Sequence, residues 1–88
     1  MDRPKEDDRE LIQFKELYKS NAPMLIFYAG KYVNAITAED LVQDVFISLL
    51  ESDYKFKTEN DIKYFLYSSL KNKCISHSRK QKVRDKYY

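Results

Sequence analysis

A chain of 88 residues with 43% hydrophobic and 34% charged side chains makes one small domain with a modest core and leaves no room for a separate catalytic lobe. No apolar run approaches the roughly 20 residues of a membrane span, the charged stretch Met1 to Glu10 lacks the apolar segment of an export signal, and the single cysteine, Cys74, excludes an internal disulfide and agrees with a reducing cytoplasm. The formal charge of +2 hides an asymmetry: residues 1–44 carry 6 basic and 9 acidic side chains, residues 45–88 carry 10 and 5, and beyond Lys63 only Asp85 is acidic, a footprint that suits a polyanionic partner at the C-terminal end.

One glycine, Gly30, and two prolines, Pro4 and Pro23, supply few turn-makers for hairpins, and apolar spacing of helical period dominates. The expected fold is therefore all-α, a compact bundle of about four helices ending in a long basic one. The first helix is expected over about 8–19, with Leu11, Phe14, Leu17 and Tyr18 on one side. Ser20-Asn21-Ala22-Pro23 should end it, because proline is tolerated in a first turn and not in a helix interior. A second helix over about 22–33 carries Met24, Leu25, Phe27, Tyr28 and Tyr32 almost all round, which predicts the most buried element.

The third helix is expected to start at Thr37, where a hydroxyl cap is followed by Glu39 and Asp40, and to end near Glu51. At 100° per residue its core face is Leu41, Val42, Val45, Phe46 and Leu49, while Asp40, Gln43 and Asp44 stand opposite with Ile47 among them. An acidic and amide patch around an apolar centre suits a protein partner. Acids near a helix start are also favoured by the dipole, and single exposed isoleucines are common, so spacing alone leaves both readings open.

After a loop over about 52–57, Thr58-Glu59-Asn60-Asp61 repeats the start signal for the fourth helix. Ile62, Phe65, Leu66, Leu70 and Cys74 form its apolar stripe. Beyond Cys74 that stripe gives way to Ser76, His77 and Lys80, so the end is expected to project from the bundle. Ser68, Asn72, Ile75 and Arg79 share an outward stripe flanked by Tyr64 and Lys71. Asparagine can bond base edges, and Lys71, Lys73, Arg79, Lys80, Lys82, Arg84 and Lys86 can neutralise phosphates. The preceding Asp53-Tyr54-Lys55-Phe56-Lys57 interleaves rings with cations, a pattern that suits stacked single-stranded bases. A solvated basic helix, with the aromatics folded under the loop, accounts for the same residues.

Catalytic and metal chemistry find no support. One cysteine and one histidine, Cys74 and His77, cannot build a structural zinc site, no serine-histidine-acid set is evident, and the phosphate-binding glycine patterns are absent. Neither an enzyme nor a cofactor is expected.

The run Ala38-Glu39-Asp40-Leu41-Val42-Gln43-Asp44-Val45-Phe46-Ile47-Ser48-Leu49-Leu50 closely resembles the A-E-D-L-V-Q-E/D-V-F-x-x-L-W signature of ECF sigma factors, a branch of the sigma-70 family. Phe65-Leu66-Tyr67, Lys71-Asn72-Lys73-Cys74-Ile75 and Arg79-Lys80 resemble its downstream W-L-x-x-I-A-x-N-x-x-I-D-x-x-R-R pattern. The resemblance spans about 14–84 and implies region 2, a cytoplasmic helical domain of transcription initiation that binds RNA polymerase core and opens the promoter.

By that resemblance Asp40, Gln43, Asp44 and Ile47 face the β′ clamp helices of the polymerase. It also matches the promoter-melting loop to residues 53–60, with Phe56 and Asn72 facing non-template bases of the minus-ten element and Lys71, Arg79 and Lys80 its backbone. Tyr54, Ser68 and Ile75 join them as DNA-binding candidates from the loop and stripe patterns above, and an anti-sigma factor is a further implied partner. Phe65 stands for the usual tryptophan, Ser76 for an aspartate and Ser78 for an apolar residue, while Leu50 takes the place of a core tryptophan. Residues 1–88 are then one region 2 domain, with 1–7 expected to be disordered and no second helix-turn-helix domain for the minus-thirty-five element. The rival reading is a helical protein-interaction module without DNA contact. A duplex-reading helix-turn-helix is weaker, since no short helix pair with a tight turn precedes the last helix.

Overall fold

A computed structural model describes residues 4–52 and 56–87, with side chains over 12–52 and 56–81. Among these residues there are three helices and no strand: α1 Pro4–Ala29, α2 Ala35–Glu51 and α3 Glu59–Tyr87. All three pack on one another. At 1.5 Å per residue α1 and α3 run for about 40 Å, and the whole measures 58 × 22 × 22 Å.

The expected break at Ser20–Pro23 does not occur, so four helices become three. Pro23 lies inside α1. It removes the amide that would bond the Lys19 carbonyl, a defect of about 3 kcal/mol in an isolated helix. Packing outweighs it. Phe14, Tyr18, Ala22, Leu25 and Ala29 follow one another at steps of four, four, three and four, so a single stripe runs past the proline in phase. Ala22, Leu25 and Ala29 are buried on it, and Phe14 and Tyr18 pack beside them. Just before the proline, Ser20 Oγ donates to the Glu16 carbonyl (2.8 Å) and Asn21 Nδ2 to the Leu17 carbonyl (2.9 Å). These side chains bond back one turn instead of stopping the helix.

The segment expected to be most buried is amphipathic. Met24 (61% exposed) and Phe27 (67%) face solvent, and Lys31 Nζ lies 5.7 Å from the Phe27 ring. Nor does helix continue to Val33. The amides of Gly30, Tyr32 and Val33 close onto the carbonyls of Ile26, Ala29 and Ala29, which satisfies the last turn.

α2 is capped three residues earlier than expected. Asn34 Oδ1 accepts the Thr37 N–H at 2.8 Å, so Thr37 sits at the third helical position, and asparagine is a better cap than threonine. Ala38, Val42, Val45 and Phe46 are buried, with Leu41 and Leu49 packed beside them. Phe46 meets the edge of Phe14 at 6.0 Å and Tyr18 at 4.7 Å. The start of α3 agrees with expectation: Thr58 Oγ1 accepts the Asp61 N–H (3.1 Å), and Asp61 Oδ2 accepts the Lys57 N–H (3.3 Å), a reciprocal arrangement close to a capping box.

Leu66, Leu70 and Cys74 bring α3 into the core, with Ile62 and Phe65 at its margin. The helix does not leave the bundle straight after Cys74. His77 and Ser78 are half-buried and line, with Tyr32, Val33 and Asn34, a hollow against the α1–α2 turn. The side chains of Leu11, Lys82, Arg84 and Lys86 lie outside the described ones.

Cys74 is free and buried, and burial pushes its thiol above the ordinary value of 9.0. Burial, together with hydrogen bonding to Tyr32, also raises the Tyr28 phenol above its ordinary 10.0. Both groups are neutral in the fold at a pH where the unfolded chain already ionises them, so stability is complete below about pH 9 and falls as pH rises beyond it. Urea unfolding from pH 7 to 11 is expected to show this decline. Cys74→Ala should flatten its onset near pH 9, and an onset unchanged in that variant would remove Cys74 as a cause.

Candidate nucleic-acid interface

Two surfaces flank the α2–α3 seam. On α2, Asp40, Gln43 and Asp44 are exposed and Ile47 is 49% exposed beside them. Leu50, which the family pattern places in the core, is 61% exposed and extends the same outward side. The buried arc of α2 is already filled by Ala38, Val42, Val45 and Phe46, and Leu50 falls on its flank at 100° per residue. With the cap at Asn34, no acid lies in the first turn. The dipole falls off within that turn, so it gives Asp40 and Asp44 little.

On α3, a hollow of about 410 Å³ opens between Phe56, Tyr64 and Phe65, with Asp61, Ser68 and Asn72 around it and Ser69 beside them. Phe56 is half-buried because its ring meets Phe65 at 5.4 Å and 68°. This contact holds Phe56, three residues before the helix, against the helix itself. The hollow is therefore an aromatic cleft with polar groups around it rather than a loose loop over a flat face.

Phe56, Ser68 and Asn72 thus line one hollow; helical spacing expects Ser68 and Asn72 on one side, and tertiary packing adds Phe56. Lys71, Arg79 and Lys80 are exposed, and Ile75 is 37% exposed. Tyr54 lies outside the described residues. Asn72 also reaches a second hollow, of about 360 Å³, which it shares with Lys73, His77 and Lys80 of α3 and Asp44 of α2. Asp44 and Asn72, expected on separate surfaces, therefore meet at one seam. There His77 Nδ1 is buried without a hydrogen-bond partner.

Asp61, expected only at the helix start, and Ser69, not expected in the site, both line the cleft. The signal for Asp61 is in the spacing. Asp61, Phe65, Ser68, Asn72 and Arg79 recur at four, three, four and seven, which is one stripe of a helix. Among the described residues no group of three or more metal-ligating side chains occurs, and no helix is long and apolar enough to cross a membrane.

Residues 17–84 match the family described as sigma-70 region 2. A relative described as a probable RNA polymerase sigma factor, from Haemophilus influenzae, is 35% identical over 71 residues, covering 81% of this chain. The chain spans 37% of that relative's length. No solved structure matches it. The match takes in the whole of α2, the cleft and nearly all of α3, and the chain belongs to the sigma-70 region 2 family.

Proposed function

We propose that this chain is region 2 of an ECF-type sigma factor, acting in the cytoplasm as a binding module for transcription initiation and not as an enzyme. In this reading Asp40, Gln43, Asp44 and Ile47 dock on the β′ clamp helices of RNA polymerase core. The α3 face then takes the non-template strand of the minus-ten element. The observation that carries the DNA half is the cleft between Phe56 and Phe65, with Asn72 and Ser68 at its edge.

Melting follows from what that cleft offers. A base in duplex is stacked on its neighbours at about 1.4 kcal/mol per step. An unstacked base gains about 1–3 kcal/mol on an aromatic ring, and its edge can bond Asn72. A base in duplex cannot stack on the ring, and its pairing edge is already occupied, so the cleft favours the open strand, while Lys71, Arg79 and Lys80 could follow its phosphates.

Phe56→Ala and Asn72→Ala are each expected to weaken binding of a minus-ten single strand about tenfold, the scale of one lost stacked or paired base. A fluorescence titration of the chain with RNA polymerase core measures this. Three phosphate contacts should also give a log–log salt slope of about −2. Unchanged affinity in both variants, with a slope near zero, would favour an interaction module without DNA contact.

A further inference from the structure

We infer that Asp61 sets which base the cleft accepts: it admits a base with an exocyclic amino group, cytosine, adenine or guanine, and turns away thymine. This rests on the reading of the cleft as a base-binding site and adds its selectivity.

The rings of Phe56, Tyr64 and Phe65 offer stacking surfaces that are tolerant of sequence, since every base has a flat face. Discrimination falls to the polar lining. The Ser68 and Ser69 hydroxyls and the Asn72 amide can each donate or accept, so they suit any edge. Asp61 is different, because a carboxylate only accepts.

The Asp61 carboxylate is also oriented. Its Oδ2 takes the Lys57 N–H at 3.3 Å. That leaves Oδ1, and a second lone pair on Oδ2, for a ligand's donors. Cytosine and adenine each present one amino group, and carboxylates bond the cytosine N4 amine. Thymine offers a single imide N–H between two carbonyls, so a carboxylate there meets like partial charge and loses its water without replacement. Guanine has adjacent donors on N1 and N2 that can meet both carboxylate oxygens, so it is admitted as well.

The test uses four short single strands that differ at one position, titrated against the chain bound to RNA polymerase core. For the unmodified chain, cytosine is expected to exceed thymine about tenfold, the lower range for one base contact. Asp61→Asn has the same shape and keeps an oxygen for the Lys57 N–H, but it adds a donor, so the ratio should fall to near one. Thr58→Ala disturbs the same helix start without entering the cleft. It should lower thermal stability and leave the ratio unchanged.

If Asp61→Asn weakens all four strands equally and preserves the ratio, Asp61 is only a cap and the inference fails while the cleft stands. If Phe56→Ala leaves all four affinities unchanged, the cleft is not the binding site and both readings fail.

Discussion

Phe46→Ala is expected to lower stability by about 3–5 kcal/mol, the cost of removing a buried ring and leaving the space behind. Phe46 is the largest fully buried side chain, at 2% exposure. It is where α2 meets α1 through Phe14 and Tyr18, so two ring contacts disappear with it, each worth about 0.5–1.5 kcal/mol beyond area. Against a total of about 5–15 kcal/mol for a small domain, the variant should be largely or marginally unfolded at 37 °C. Urea denaturation followed by circular dichroism measures the loss. A shift below about 1 kcal/mol would mean that the bundle repacks around the gap. Phe27→Ala is the control: its ring is 67% exposed, and surface changes usually stay within about 0.5 kcal/mol.

The triple change Asp40→Ala, Gln43→Ala and Ile47→Ala is expected to do the opposite, leaving the fold and removing the partner. All three side chains are exposed, so the unfolding midpoint should move little. If this face docks on the polymerase, losing an apolar centre and two polar neighbours should weaken binding by about 100-fold, the scale of a small interface hot spot. A pull-down and a titration with the β′ clamp helices read the effect. Full affinity in the triple variant would rule this face out as the docking surface. Leu50→Ala added to the triple tests whether the apolar part extends that far, since Leu50 is exposed on the same side.

Much of this was legible in the sequence because helical spacing reports burial directly. Val42, Val45 and Phe46 on α2 and Leu66, Leu70 and Cys74 on α3 are buried where the period puts them. The helix count was not legible in the same way. Pro23 is a strong local signal, and it masks the stripe Phe14, Tyr18, Ala22, Leu25, Ala29, which crosses it in phase. Small residues weaken such a stripe to the eye. Ala22 and Ala29 carry little side chain yet sit at 3% and 0% exposure, because alanine lets helices approach closely.

The cap of α2 lies at Asn34 rather than Thr37 for a related reason. Thr37 resembles a cap when followed by acids, but Asn34 is a stronger one and lies three residues before it. In the candidate site, Ser68 and Asn72 of α3 were legible because one helix presents them at a fixed period. The pairing of Phe56 with Phe65 was not, since a loop residue has no period and its partner is chosen by tertiary packing.

The reciprocal bonds at the start of α3 bear on what a ligand would meet. Thr58 and Asp61 tie residues 57 and 58 to the first turn, and the Phe56 ring is seated on Phe65. Fixing a residue's backbone costs about 1–2 kcal/mol of conformational entropy. For this rim that cost falls on folding, not on association, so the cleft is pre-organised. A strand entering it would order its own bases and little of the protein. Affinity should then vary with the strand's stiffness, for instance on locking a sugar pucker, more than with any change that rigidifies residues 56–58.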